Sequence, residues 1–120
     1  RELGIDTPLE FYFATGGLSA VLDNAPTYLN FLQVALAPQD VAPETVRAMI
    51  ETPAGASNLV AISTGAVFFG ALTYIGNGPN FMVRAVAQAR GVAMPSFFGY
   101  AAWAAIILLP ILIVHGLVAV

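Results

Sequence analysis

The sequence predicts an all-α integral membrane protein made of a re-entrant helical hairpin, a discontinuous transmembrane helix and one ordinary transmembrane helix. Three observations carry this. Of the 120 residues, 58% are hydrophobic and only 9% charged, against roughly 45–50% and roughly 25% in a soluble domain. The run from Phe97 to Val120 holds no formal charge and is long enough to cross a bilayer with some tilt. Two other apolar segments are each interrupted by the same short polar pattern.

The elements follow in chain order. Residues 9–22, LEFYFATGGLSAVL, make an apolar run of roughly 21 Å as helix, short of a bilayer core of roughly 30 Å. Asp23-Asn24-Ala25-Pro26-Thr27 then interrupts, because proline lacks an N–H and disfavours helix at the residue before it. A second short run spans Tyr28 to Ala37. Together, 9–37 form either one kinked span or two half-depth helices meeting at a tip; the second is a re-entrant hairpin. Residues 38–58 hold Asp40, Glu44, Arg47, Glu51 and three prolines, and so lie outside the hydrocarbon. Within them Pro43, Glu44 and the apolar set Val46, Met49 and Ile50 predict a short amphipathic surface helix, ended by Pro53 and Gly55.

Residues 59–91 predict a helix interrupted at Gly76-Asn77-Gly78-Pro79-Asn80, its end carrying Arg84 and Arg90 into water. As one continuous helix this stretch would reach close to 50 Å, too long for one upright span. Residues 96–120 are the ordinary transmembrane helix, with Pro110 a kink and Trp103 and Tyr100 packing or interface anchors. His115, alone near its end, is a core or interfacial histidine. The opening Arg1-Glu2-Leu3, with no methionine and no signal-type segment, suggests a piece of a longer protein.

Composition narrows the function. The net charge of −3, with four basic residues, excludes a nucleic-acid partner. Without cysteine there is no disulfide, thiolate nucleophile or thiolate metal site. No Ser/His/Asp grouping, metal-ligand cluster or phosphate-binding glycine loop occurs, so an enzyme is not expected.

The two interruptions align: Leu22-Asp23-Asn24-Ala25-Pro26-Thr27-Tyr28-Leu29 and Ile75-Gly76-Asn77-Gly78-Pro79-Asn80-Phe81-Met82. Both read apolar, variable, Asn, small, Pro, polar, aromatic, apolar. Non-helical backbone at membrane depth survives only where protein buries it or a cavity hydrates it. A half-helix ending at such a break points carbonyls at a cation, and one starting there points N–H groups at an anion. Asn24, Thr27, Asn77 and Asn80 offer oxygen ligands to sodium or donors to an anion, and Gly76 and Gly78 let carbonyls converge. Asp23 is the candidate titrating group, since an intramembrane carboxylate is a functional hypothesis by default; its structural alternative is a helix cap. Thr73 and Arg84 are candidate lining residues, while Thr15, Gly16, Gly17, Ser19, Ser63 and Thr64 suit close helix packing.

The LSAVLDNAPTYLNF, TYIGNGPNFMVRAVAQ and GVAMPSFFGY stretches resemble the C-terminal half of the ion transporter superfamily, in particular the bacterial sodium/proton antiporter, citrate transporter and arsenite permease group. The resemblance covers most of residues 8–120. It implies the second half of an inverted-repeat transporter, with 9–37 the hairpin and 59–91 the interrupted helix. On it, Asp23, Asn24, Pro26 and Thr27 match the hairpin tip, and Gly76, Asn77, Gly78, Pro79 and Asn80 the break. Dicarboxylate carriers of the superfamily show Ser-Asn-Thr at such tips; the Asp-Asn-Ala-Pro-Thr here favours the antiporter branch.

The expected activity is therefore secondary transport by alternating access, sodium/proton antiport first and sodium-coupled citrate, dicarboxylate or arsenite-type transport second. A structural subunit of a membrane complex, whose kinked helices merely pack, is the reading from another class. No cofactor is expected beyond sodium or a proton as coupling ion. Expected partners are the lipid bilayer, the N-terminal part of the same transporter, a small ion or anion and, as a homodimer, a second copy. Arg84 and Arg90 beside a short turn place 91–95 in the cytoplasm and 38–58 in the periplasm of a cell inner membrane, against Arg1 and Arg47 elsewhere.

Overall fold

A computed structural model describes residues 4–120. Arg1, which entered the charge comparison, lies outside the described residues. The chain forms α1 (Pro8–Ser19), α2 (Asn24–Leu36), α3 (Pro43–Ile50), α4 (Pro53–Phe68) running into a 3-10 turn (Phe69–Leu72), α5 (Gly78–Ala89) and α6 (Phe97–Ala119). No strand occurs among the described residues.

Local chemistry fixes most helix starts. Thr7 and Glu10 close a reciprocal capping box on α1: Glu10 N–H donates to Thr7 Oγ1 and Thr7 N–H to Glu10 Oε2 at 2.8 Å, with Pro8 opening the helix. Ser96 caps α6 by accepting from the Gly99 N–H at 3.1 Å. Thr52 does the same for α4, accepting from the Gly55 N–H at 3.1 Å. Here the structure corrects the sequence reading. Pro53 and Gly55 do not end the amphipathic helix; they lie in the first turn of the next one, which begins at Pro53 rather than Leu59. A proline at the first helical position loses no hydrogen bond, because that N–H has no intrahelical acceptor.

With this earlier start, two helices are long and apolar enough to cross a membrane, where the sequence suggested one ordinary span. They are Pro53–Leu72, including the 3-10 turn, and Phe97–Ala119. The 12 residues of α1 and 13 of α2 reach only about 18–20 Å, so neither arm of that helical hairpin crosses alone.

The core lies where α1 packs between α4 and α6. Phe11, Tyr12, Ala61, Ile62, Phe69 and Leu112 are its buried side chains. Contacts advance together along α1 and α4, from Tyr12 with Gly65, to Gly16 with Phe69, to Ala20 with Thr73, so the two run parallel. Gly65 permits the close approach: a Cβ there would sit 2.6 Å from the Tyr12 carbonyl oxygen. Ser19 Oγ ties the pair again by donating to the Ala66 carbonyl at 2.5 Å. On the opposite side the Tyr12 hydroxyl donates to the Leu112 carbonyl at 2.9 Å, its ring lying against Gly116 of α6. His115 packs beside it, 5.6 Å from the Tyr12 ring centroid and 5.3 Å from that of Phe68. It is half-buried at the edge of the core.

The outer surfaces are apolar. On α6, Trp103, Ile106, Ile107, Ile111, Val114, Leu117 and Val118 are exposed, and only 17% of its most apolar window is buried. That suits lipid or a protein neighbour, not water. Helix α5 has no buried residue and exposes Phe81, Met82, Val83 and Val86.

The glycine contact yields a stability prediction. Gly65→Ala pushes a methyl into backbone that cannot swing aside and should destabilise by about 1–3 kcal/mol. Gly17, also in α1 but with nothing within 4 Å of its Cβ direction, should tolerate alanine with no loss, since alanine favours helix by about 1 kcal/mol. Thermal unfolding of the two variants in one detergent checks the pair; equal losses would show that the α1–α4 approach is not tight.

Candidate functional site

Both helix breaks lie about one turn earlier than the prolines suggest. The first covers Ala20 to Leu22, with Asp23 the N-cap of α2; the second covers Thr73 to Gly76, with Asn77 the N-cap of α5. Pro26 and Pro79 are not the residues at which the chain leaves the helix. They stand in the first turns of α2 and α5. A proline inside a helix clashes with the carbonyl four residues earlier, here Leu22 or Ile75, so the preceding helix must end at or before those positions. The proline dictates a break that falls upstream of itself.

The breaks are tied to each other through Thr73. This buried residue donates its hydroxyl to the Ala20 carbonyl at 2.5 Å and accepts from the Gly76 N–H at 3.0 Å. Gly76 then sits among three carbonyl oxygens. Its Cβ direction points 2.6 Å from that of Gly70, 2.9 Å from Ser19 and 3.0 Å from Ala20, so no larger residue fits. These oxygens belong to the end of α1 and to the 3-10 turn that ends α4. Two negative helix ends therefore converge on one point.

Of the two ends that its amide offers, Asn80 uses the donor at the break. Its amide Nδ2 donates to the Gly70 carbonyl at 3.0 Å and the Thr73 carbonyl at 3.2 Å. It closes the break as a donor instead of presenting oxygen there. Asn77 makes no side-chain cap bond to α5, and its Oδ1 is buried without a hydrogen-bond partner. Gly78, next to it, has nothing within 4 Å of its Cβ direction. That helix start is open.

The α2 start is closed. Asp23 is exposed, and its carboxylate accepts the Asn24 N–H at 2.8 Å, the cap that the sequence held as Asp23's structural alternative. Thr27 is fully buried and turns its hydroxyl back to the Asp23 carbonyl at 2.9 Å. Asn24 lines a separate groove of about 480 Å³ with Ala25, Tyr28, Leu29, Ser63, Ala66 and Val67, mostly apolar and without any residue of the second break. The structure thus gathers Thr73, Gly76, Asn77 and Asn80 with the end of α1, and leaves Asn24 on another surface.

Arg84 is half-buried on α5, with its guanidinium carbon 4.7 Å from the centroid of Tyr74, a residue of the break itself. The sequence reading missed Tyr74, and also the carbonyls of Ser19, Ala20 and Gly70; backbone oxygens carry no residue-type signal. Among the described residues no group of three or more His, Asp or Glu side chains is placed to hold a metal ion.

A family model described as "Putative citrate transport" matches residues 1–120. No curated protein and no solved structure matches the chain.

The Thr73 bridge can be tested directly. Thr73→Val keeps the shape but strands the Ala20 carbonyl and the Gly76 N–H, which should cost about 1–3 kcal/mol. Thr73→Ser retains both bonds and should stay near the unsubstituted protein. Thermal unfolding together with hydrogen exchange at Gly76 separates the outcomes: faster exchange in the valine variant alone is expected.

Proposed function

The chain belongs to the citrate-transport-type family of membrane transporters, and from that premise we propose that it carries part of the site of a cation-coupled secondary transporter for a small carboxylate anion. The observation behind this reading is the difference between the two helix starts at the breaks. Each is a positive dipole end, although Pro26 and Pro79 carry no N–H and the Asn80 N–H already donates to the Asn77 carbonyl at 3.1 Å. At α2 that end already holds a carboxylate, the one on Asp23. At α5 no side chain caps it, and beside it stands the amide of Asn77, whose Oδ1 is buried without a donor. A substrate carboxylate supplies there what Asp23 supplies at the other break.

The coupling ion, sodium or a proton, belongs with the converging carbonyls of Ser19, Ala20 and Gly70, near Asn77. The amide of Asn77 serves either partner, offering oxygen to a cation or N–H to an anion. Asn24 and Thr27 stay attached to this reading as residues of the first turn after the first break, and Gly78 as the one that leaves room at the second. Other segments of the transporter complete the site, and alternating access moves the breaks between the two sides. In this arrangement Pro53–Leu72 and Phe97–Ala119 cross a cell inner membrane, and the 9–37 hairpin enters it without crossing.

A second reading, sodium/proton antiport, draws on the exposure of Asp23. A carboxylate reachable from water at a helix break can exchange a proton for sodium. One experiment separates the two. Vesicles carrying the full-length protein are assayed for labelled-citrate uptake and for sodium-driven proton movement, with Asp23→Asn alongside. Asparagine caps helices about as well as aspartate. Citrate uptake that survives the substitution within a few-fold supports carboxylate transport, whereas proton movement abolished by it, without citrate uptake, replaces that reading with antiport.

Orientation is tested in the same vesicles. Residues 1–120 have no cysteine, so Ala48→Cys and Ala93→Cys each add a thiol at an exposed position where there was none, with the unsubstituted full-length protein as the labelling blank. A membrane-impermeant thiol reagent should label position 48 from the periplasmic side and position 93 only after permeabilisation; the reverse pattern inverts the topology.

A further inference from the structure

We infer that Arg84 is a specificity-determining residue that reads one carboxylate of the transported anion, held ready at the second break by a shelf of two tyrosines. The inference rests on the carboxylate reading above. It starts from an imbalance. Arg84 is half-buried, its Nε is shielded from solvent without a hydrogen-bond partner, and no carboxylate of the described residues pairs with it. A guanidinium whose Nε is shielded without an acceptor, and which has no counter-ion among the described residues, is costly in a membrane protein, and such a charge faces a partner or an aqueous path. Arg90, six positions on, is fully exposed and needs no such explanation.

What holds Arg84 is rigid. Its guanidinium lies over Tyr74, which is only 2% exposed and belongs to the break. The Tyr74 ring stacks on Tyr100 of α6, with centroids 4.3 Å apart and planes 19° from parallel. Each hydroxyl is anchored to backbone: Tyr74 donates to the Pro95 carbonyl at 3.0 Å, and Tyr100 to the Ala71 carbonyl at 2.8 Å. The shelf is therefore fastened to the turn before the break, to the break itself and to the 91–95 connection. An aromatic face attracts the cation without using its N–H donors, which radiate in the guanidinium plane. Those in-plane donors match a carboxylate bidentately, which a lysine ammonium cannot do. A cation poised over the break, one α-turn beyond Asn80, has the chemistry to meet an anion bound at the uncapped start of α5.

The shelf also accounts for the choice of arginine over a simple topological charge. A positive residue that only marks the cytoplasmic side needs no aromatic support, and lysine would serve it equally. Here two buried hydroxyl bonds and a ring stack orient the surface on which the guanidinium rests.

The test uses full-length protein in vesicles, with citrate and citrate monoamide, in which one carboxylate is replaced by a carboxamide. In the unsubstituted protein citrate should be preferred by about tenfold or more. Arg84→Gln should lower the apparent affinity for citrate by about that factor while changing that for the monoamide less than about threefold, with the maximal rate per folded protein kept. The preference then collapses. Arg84→Lys keeps the charge, serves if the glutamine variant does not fold, and should restore only part of the preference; Arg90→Gln should leave it intact. If Arg84→Gln lowers the maximal rate for both solutes and retains the preference, Arg84 is structural and the inference is wrong. If the unsubstituted protein neither binds nor takes up citrate, the carboxylate reading fails and the inference falls with it.

Discussion

Everything in this fold follows from one constraint: a helix interrupted inside a protein strands N–H and C=O groups on both sides of the gap, and in an apolar surround each must find a partner. Here the partners come from a small set of side chains around the second break. Thr73 serves the last carbonyl of α1 and the Gly76 N–H together, and Asn80 closes the Gly70 and Thr73 carbonyls. The hydroxyl and the amide that make the break possible are thus largely consumed by it. What remains free is Asn77, the residue left for work other than structure.

The approach of α1 to α4 is the condition for that arrangement. Thr73 reaches Ala20 only because the two helices run parallel and end at one level, and they do so because Gly65 admits the Tyr12 carbonyl while Gly16 accepts the Phe69 ring. Tyr12 then fastens the same helix to α6 through Leu112 and Gly116. A displacement of α1 would be felt at once at the break and at the long apolar span. Close packing of this kind resists gradual deformation, so movement of α1 would carry the second break with it.

Much of this was legible in the sequence, and the failures have common causes. The uncharged 97–120 run and the amphipathic Pro43–Ile50 segment declare themselves by composition and period alone. The asparagine–proline pattern announced two breaks but misplaced them by about a turn, because a proline acts on the carbonyl four residues before it. Pro53 was misread for a related reason: the same residue ends one helix or opens the next, and Thr52 decides which by capping. Asn80 could be read as an oxygen ligand or as a donor because nothing in a residue name says which end of an amide will be used; that depends on where the Gly70 and Thr73 carbonyls arrive after folding. The Arg84–Tyr74–Tyr100 cluster was out of reach, since its members lie on opposite sides of a break and a turn.

The pairing of an aspartate with an asparagine at matched positions around the two breaks now has a physical sense. Two helix N-termini offer two positive ends, and filling both with the protein's own carboxylates would leave no place for the anion proposed to bind there and would add charge that the converging carbonyls of α1 and the 3-10 turn already oppose. Filling neither would leave the hairpin tip frayed, because α2 has little else to hold its first turn: Thr27 bonds only to the Asp23 backbone. One committed carboxylate secures the start of α2, and the other start has no side-chain cap and an amide oxygen without a partner. The asymmetry divides the labour between a break that is finished and a break that waits for a partner.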